Sequence, residues 1–178
     1  MINILEELRS QCSKQQKRGI HFILASVIIW IAIFTVQMSN MPILTKNLLT
    51  FCCAAPLMPL AYVISRFLEI KFSNKSNKLN ELGIIFSMNQ MLYLLIAMWV
   101  YTAVPEKLVM VIAIIFGAHL LPYGWLYKSR TYNVMSVIIP ILSLYVGCRY
   151  SRVTLALMMI VIEITFSICL IIENRVKE

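Results

Sequence analysis

Six apolar runs, each close to the roughly 20 residues that cross a bilayer as a helix, occupy nearly all of this chain. Inside lipid a backbone must satisfy its own hydrogen bonds, and a helix does so within a single segment. The sequence therefore predicts an all-α fold, a polytopic transmembrane helix bundle that forms a single integral membrane domain over residues 1–178. The predicted spans are residues 20–38, 48–68, 82–101, 108–127, 132–148 and 153–172.

The composition agrees with this class of protein and argues against several others. Of the 178 residues, 60% are hydrophobic and 13% are charged, whereas a soluble domain carries about 25% charged residues. The five glycines form none of the phosphate-binding patterns, and the five cysteines contain no Cys-x-x-Cys pair. The two histidines, His21 and His119, lie far from any group of cysteines. We expect no metal, no cofactor and no catalytic residue.

The net charge of +8 is distributed unevenly between the two sides of the predicted bundle. Twelve basic residues fall on one side and four on the other, so both termini are predicted to lie in the cytoplasm. The basic charge then indicates topology and contact with a lipid bilayer that contains anionic lipid, and we expect no nucleic acid partner. The twelve are Arg9, Lys14, Lys17, Arg18, Arg66, Lys71, Lys75, Lys78, Lys128, Arg130, Arg175 and Lys177, and the four are Lys46, Lys107, Arg149 and Arg152.

Residues 1–18 are predicted to form a short amphipathic helix on the cytoplasmic surface. Its apolar side chains recur at helical spacing, and a frayed terminus is the alternative. The apolar run that follows is too long for a signal peptide and lacks a small-residue cleavage site, so we expect a retained helix. The longest connection, residues 69–81, is predicted to be a polar and basic cytoplasmic linker. The apolar positions of the first segment are Ile4, Leu5, Leu8 and Cys12.

The positions of the prolines raise a 3+3 inverted repeat as an alternative arrangement of the six spans. Three spans in each half would invert the second copy, and corresponding proline breaks point to a transporter site. Pro56 and Pro59 lie in the second predicted span, and Pro140 lies in the fifth. Proline is also common in membrane helices for packing alone, so both interpretations stay open.

A carboxylate, Glu163, lies midway along the last apolar run. Because an ionisable group at the centre of a span costs roughly 2.5–3.5 kcal/mol on insertion scales, it is expected to face protein or water and to mark a functional site. His119, Asn89 and Gln90 fall at a similar depth. Glu163 and His119 would make a proton-sharing pair. The alternative is that Glu163 hydrogen-bonds Gln90 or Tyr93 and only joins helices.

Two further features belong to this predicted substrate-binding or proton-binding layer. Trp30 lies mid-span in the first helix, where it would line an interior cavity. Residues 116–125 (FGAHLLPYGW) combine small residues, which allow close helix approach, with Pro122, which leaves the carbonyl of Ala118 without its amide partner. That carbonyl beside His119 is either a binding feature or the mark of a kinked packing helix.

Two segments, residues 18–25 (RGIHFILA) and residues 117–122 (GAHLLP), resemble an uncharacterised family, a domain of unknown function, of small bacterial multi-pass membrane proteins. That family is common in low-GC Gram-positive species. The resemblance implies a bacterial plasma membrane and a His-Leu-Leu-Pro motif that merits a test. It implies no activity.

The polar layer leads us to expect small-solute or proton-linked transport, or ligand sensing, with a small molecule or an ion as the ligand. The alternative is a non-transporting membrane partner, an immunity or regulatory subunit, in which Glu163 only joins helices. An intramembrane enzyme would need paired acids, a nucleophile with its base or metal ligands, and the chain offers one midspan acid and one midspan histidine. A homo-oligomer is compatible both with transport or sensing and with the partner-subunit role. These two functions differ in whether Glu163 and His119 line a wet cavity or are sealed in a dry interface.

Overall fold

The computed structural model describes residues 2–70, 77 and 79–176, and this part of the chain is helical and contains no β-strand. The all-α prediction is therefore confirmed. Single turns of 3-10 helix at Lys17–Gly19 and Pro105–Lys107 precede the second and sixth helices. The α-helices are α1 (Ile2–Gln15), α2 (Ile20–Met38), α3 (Ile43–Ala54), α4 (Leu57–Phe67), α5 (Leu79–Ala103), α6 (Leu108–Leu126), α7 (Arg130–Arg149) and α8 (Arg152–Val176).

Six stretches of the described chain are long and apolar enough to cross a membrane, which is the number that the sequence predicts. Five of them contain a single α-helix, whereas the second, Ile43–Phe67, is formed by α3 followed by α4. This second stretch begins at Ile43 instead of residue 48, because the polar residues Lys46 and Asn47 are already helical. The last stretch, Arg152–Val176, runs past the predicted end at residue 172.

Proline interrupts one of these stretches and leaves two others continuous. The chain leaves α3 at Ala54 and enters α4 at Leu57, with Pro56 between the two helices. Pro122 and Pro140, by contrast, lie inside the continuous helices α6 and α7. Proline removes one helical hydrogen bond, and the packing around it decides whether the helix bends or ends. The predicted correspondence of breaks between the second and fifth spans is absent, and the inverted repeat stays a prediction.

The α2 helix is the central element of the bundle. It packs against α8, α4 and α3, while α6 packs against α7 and α5, and α7 packs against α8. The main apolar core lies between these helices and contains Ile23, Trp30, Met159 and Phe166. The α5 helix is held mainly by α6, so it lies at the periphery.

The start of α2 and the end of α8 meet at one end of the bundle, which we call the terminal end. There Arg18 donates hydrogen bonds to the Asn174 side chain and to the carbonyl of Glu173. Of the twelve basic residues predicted for this side, Lys71, Lys75, Lys78 and Lys177 lie outside the described residues. The other eight belong to elements or turns at the terminal end.

The opposite end of the bundle gathers the remaining loops. Asn47 Nδ2 donates to the carbonyl of Pro105 at 2.9 Å, and Lys107 Nζ donates to the carbonyl of Gly147 at 2.8 Å. The four basic residues predicted for this side, namely Lys46, Lys107, Arg149 and Arg152, lie in these loops or in the adjoining helical turns. The terminal end therefore carries more of the described basic residues than the opposite end, eight against four.

The α1 helix packs on the last turn of α6 at the terminal end. Ser13 Oγ donates to the carbonyl of Tyr127 at 2.7 Å, and Arg9 Nε donates to the carbonyl of Trp125 at 3.0 Å. The Arg9 guanidinium also lies 4.3 Å from the centre of the Trp125 ring. These bonds to carbonyls at the end of α6 fix α1 to the bundle.

The predicted apolar face of α1 is only partly covered. Cys12 is fully buried, whereas Ile4 and Leu5 are exposed at the start of the helix. Most of the predicted linker, residues 71–76 and 78, lies outside the described residues. Asn77 donates from Nδ2 to the carbonyl of Leu8 at 2.9 Å, which gives α1 a second attachment.

A tight turn joins α1 to α2. Lys17, Arg18 and Gly19 have positive φ angles of 43°, 52° and 66°. Glycine suits the third position, because its φ is positive and a Cβ there would lie 3.0 Å from a ring carbon of Tyr127 and 3.1 Å from the hydroxyl of Tyr132. This turn begins the first segment that carries the family resemblance, and it brings the start of α2 against the end of α6 and the start of α7.

Candidate functional site

Glu163 belongs to the buried stripe of α8. Met159, Phe166, Ser167 and Leu170 lie on the same stripe and are buried at helical spacing. The Glu163 side chain is 0% exposed. The helical period therefore carries the carboxyl group into the bundle and away from lipid, where an ionisable group would be most costly.

The hydrogen-bond partner of Glu163 is Ser26 of α2. Ser26 is buried on the same helix as Ile23 and Trp30. Its hydroxyl donates to Glu163 Oε2. Glu163 Oε1 has no hydrogen-bond partner among the residues that the structure describes. The bond joins the central helix of the bundle to α8.

The Ser26 hydroxyl has two acceptors for one hydrogen. Besides Glu163 Oε2, the carbonyl oxygen of Ile23 lies 2.7 Å from Ser26 Oγ. A serine hydroxyl carries a single hydrogen, so it serves one acceptor at a time. When it points to Ile23, only a protonated Glu163 can supply the hydrogen for the second bond. The geometry thus accommodates an uncharged Glu163 with both contacts made.

His119 lies beside Tyr123 on α6 and is half-buried. Its Nδ1 is 2.6 Å from the carbonyl oxygen of Phe116, and because a carbonyl only accepts, Nδ1 carries the hydrogen. The Tyr123 ring meets the imidazole edge-on at 5.7 Å, and its hydroxyl donates to the carbonyl of Gly83 on α5 at 2.9 Å. Within the described chain no hydrogen bond or ion pair joins His119 to Glu163, and the proton-sharing pair stays a prediction.

Asn89, Gln90 and Tyr93 lie in the middle of α5. Asn89 and Tyr93 are exposed, and Gln90 is half-buried. Asn89 Nδ2 donates to the Tyr93 hydroxyl at 3.0 Å. In the described part of the chain neither Gln90 nor Tyr93 hydrogen-bonds Glu163, whose partner is Ser26. The predicted polar layer is therefore divided between the bundle interior at Glu163 and the outer surface of α5.

The segment 116–125 packs α6 against α7. A Cβ at Gly117 would lie 2.6 Å from Pro140 Cδ and 2.7 Å from Ile139 Cγ2, which is closer than such atoms approach. Gly117 therefore permits the close helix approach that the sequence predicts for it. The neighbouring Ala118, for which the same role was predicted, is exposed.

Trp30 is buried in the main apolar core, next to side chains of the other central helices. The sequence prediction did not include its neighbour Ser26. The signal was present, because Ser26 and Trp30 are four residues apart and share a helix face. The prediction also omitted a polar contact near the opposite end, where Gln37 Nε2 donates to Thr50 Oγ1 at 3.0 Å.

The chemistry available at Glu163 is narrow. Among the described residues no group of three or more His, Cys, Asp or Glu side chains is placed to hold a metal ion. One enclosed carboxyl and one hydroxyl can join two helices. The Glu163 carboxyl can exchange a proton with the solution only when water reaches it.

Six helical stretches that are long and apolar enough to cross a bilayer, with a carboxyl group enclosed between two of them, indicate a helical membrane protein. The chain belongs to a family of unknown function, DUF7010, whose model matches residues 5–173. The prediction of an uncharacterised family, made from residues 18–25 and 117–122, is thereby confirmed. No curated protein and no solved structure matches the chain.

Proposed function

We propose that the protein is a non-transporting membrane subunit that assembles with a second copy of itself. In this proposal the Glu163 side chain is uncharged and joins α8 to α2 through its hydrogen bond with Ser26. The enclosure of Glu163 carries this proposal, since the side chain is 0% exposed and bonded to Ser26. A transported proton or solute needs a wet path to its site, whereas a carboxyl that joins helices needs none. The enclosure of the carboxyl group therefore favours the second role.

The surface for assembly is the outer face of α5. Only 12% of the most apolar stretch of this span is buried, against 50% for the span that contains α2. At mid-span this face carries the exposed side chains of Asn89 and Tyr93. Polar side chains at this depth find no partner in lipid tails, so they favour association with another helix.

Asn89 and Tyr93 form a self-complementary pair. The 3.0 Å bond from Asn89 Nδ2 to the Tyr93 hydroxyl oxygen leaves the hydroxyl hydrogen and Asn89 Oδ1 without partners among the described residues. A two-fold axis along the membrane normal would place a second α5 parallel to the first and at the same depth. The Tyr93 hydroxyl already lies at the level of Asn89, so each copy can donate to Asn89 Oδ1 of the other. This reciprocity is the reason for proposing a second copy as the occupant.

The proposed location is a bacterial plasma membrane with the terminal end in the cytoplasm. Eight described basic residues support this orientation against four at the opposite end. Positively charged loops remain preferentially on the cytoplasmic side during insertion.

Replacing Asn89 with leucine and Tyr93 with phenylalanine is expected to weaken self-association about sevenfold, because two reciprocal hydrogen bonds within a membrane contribute roughly 0.6 kcal/mol each on average. The dissociation constant can be measured by energy transfer between labelled copies in liposomes at decreasing protein-to-lipid ratios. Thr165→Val is the matched control, because Thr165 is also exposed within a span but bonds the carbonyl of Val161 in its own helix. A wild type that is monomeric at every ratio, or a double variant that associates as well as wild type, would contradict the proposal.

Proton-linked transport is the second candidate function, and one observation favours it. Glu163 Oε1 has no partner within the described chain, so it is available to a water molecule or a proton donor that enters the bundle. This function requires a second arrangement of α2 and α8 that opens a path to Glu163. It predicts proton flux that depends on the carboxyl group, whereas the subunit function predicts none.

A further inference from the structure

A basic groove lies at the terminal end, between the end of α6 and the start of α7. Its volume is about 620 Å³, and it opens to the surface of the bundle. Arg9 of α1, Lys128 and Arg130 supply three cationic groups, and Asn133 supplies a carboxamide. The groove contributes nothing to the enclosure of Glu163, so its role is separate from that of the bundle interior.

One carboxylate partly neutralises these cations. Glu6 accepts from Lys128 Nζ at 2.6 Å and from Arg9 Nη1 at 2.5 Å. The hydrogen bond from Lys128 holds the pKa of Glu6 below its usual range, so this carboxylate stays ionised. Glu173 adds a second carboxylate beside the groove, since it accepts from Ser129 Oγ at 2.6 Å and from the backbone amide of Arg130 at 3.2 Å. Three cations against two carboxylates still leave the groove with a positive charge.

Arg130 and Asn133 are the groups available to a ligand. Both are exposed, and within the described chain neither side chain makes a hydrogen bond, because the bonds at these two residues involve their backbone atoms. The backbone amides of Arg130 and Thr131 are already occupied by Glu173, at 3.2 Å and 3.4 Å. A ligand would therefore meet the Arg130 side chain and not the helix terminus.

One wall of the groove is apolar and exposed on the surface of the bundle. Leu121 is 54% exposed and Trp125 is 43% exposed, and Pro122 lies between them. Tryptophan and basic side chains at the end of a span are positioned where lipid headgroups lie. The groove thus combines a cationic rim with a surface that suits a hydrocarbon chain.

We propose that this groove binds the phosphate headgroup of an anionic phospholipid, with Arg130 and Asn133 contacting the headgroup, Arg9 and Lys128 adding positive charge, and an acyl chain lying along Leu121. Charge complementarity supports an anion, and the exposed apolar wall favours a lipid over a free phosphate ion. The binding does not depend on the oligomeric state of the protein.

The test is the affinity of the purified full chain for phosphatidylglycerol and for phosphatidylcholine with the same acyl chains, measured by native mass spectrometry. We expect phosphatidylglycerol to bind more tightly. Arg130→Gln should weaken its binding about fivefold, since one basic residue near an anionic surface contributes about 1 kcal/mol. Arg130→Lys should retain most of the affinity, and neither change should affect phosphatidylcholine.

Arg175→Gln is the matched control, because Arg175 is exposed at the terminal end but does not line the groove. Equal losses in Arg130→Gln and Arg175→Gln would show that any basic residue suffices and would overturn the proposal. Equal affinity for the two lipids would also overturn it. Displacement of the lipid by an equal concentration of inorganic phosphate would overturn the lipid assignment and identify a site for free phosphate.

Discussion

Replacing Glu163 with alanine is expected to lower the free energy of unfolding by about 2–4 kcal/mol, because the change removes a buried side chain and leaves a cavity between α2 and α8. Glu163→Gln should cost less than about 1 kcal/mol, since the carboxamide keeps the shape, stays uncharged and can still bond Ser26. Unfolding in lipid–detergent bicelles with increasing sodium dodecyl sulfate measures both values.

Comparing Glu163→Gln with Glu163→Ala shows whether the fold needs an uncharged hydrogen-bonding group at this position or an ionised carboxylate. If Glu163→Gln were as damaging as Glu163→Ala, the ionised carboxylate would be essential and the proposed uncharged bond would be wrong. A double-mutant cycle with Ser26→Ala adds a direct check. The coupling free energy between positions 26 and 163 should be roughly 0.6–1.7 kcal/mol, which spans the average and the maximum found for hydrogen bonds between membrane helices.

The second large effect is expected at Gly117, where valine should destabilise the fold by about 3 kcal/mol or prevent folding. Its Cβ would lie 2.6 Å from Pro140 Cδ and 2.8 Å from Ile139 Cβ, and neither atom belongs to the far end of a flexible side chain. Separating α6 from α7 would then disrupt the close packing of these two helices. The same unfolding assay gives the measurement.

The matched control for Gly117 is the next residue. Ala118→Val adds similar volume to an exposed position of the same helix, so its cost should stay within about 0.7 kcal/mol, the scale of helix propensity. Equal destabilisation by the two variants would mean that α6 tolerates no β-branched residue here, and the packing role of Gly117 would lose its support.

The number of spans could be predicted from the sequence because backbone hydrogen bonding in lipid leaves a long apolar run little alternative to a helix. The inward direction of Glu163 also follows from the cost of exposing a carboxyl group to lipid. The break at Pro56 and the continuity at Pro140 could not be predicted, because the packing around each proline decides between a bend and an end.

The partner of Glu163 was the main feature that the sequence left open. Gln90 and Tyr93 are strong hydrogen-bonding groups at a suitable depth, yet Gln90 is only half-buried and Tyr93 is exposed. Lipid and protein interior are both apolar, so the pattern of apolar residues does not show which face of such a helix points inwards. Ser26, a small polar residue among apolar neighbours, gave a weaker signal and proved to be the partner.

Proton flux through liposomes is the measurement that tests the role of Glu163 most directly. Purified wild type, Glu163→Gln and His119→Ala are reconstituted with a pH-sensitive dye inside, and an imposed pH gradient is followed over time. If Glu163 only joins helices, all three proteins should show the proton leak of protein-free liposomes. Wild-type flux above that leak, abolished in a folded Glu163→Gln variant, would contradict the subunit function and establish Glu163 as a proton-carrying group.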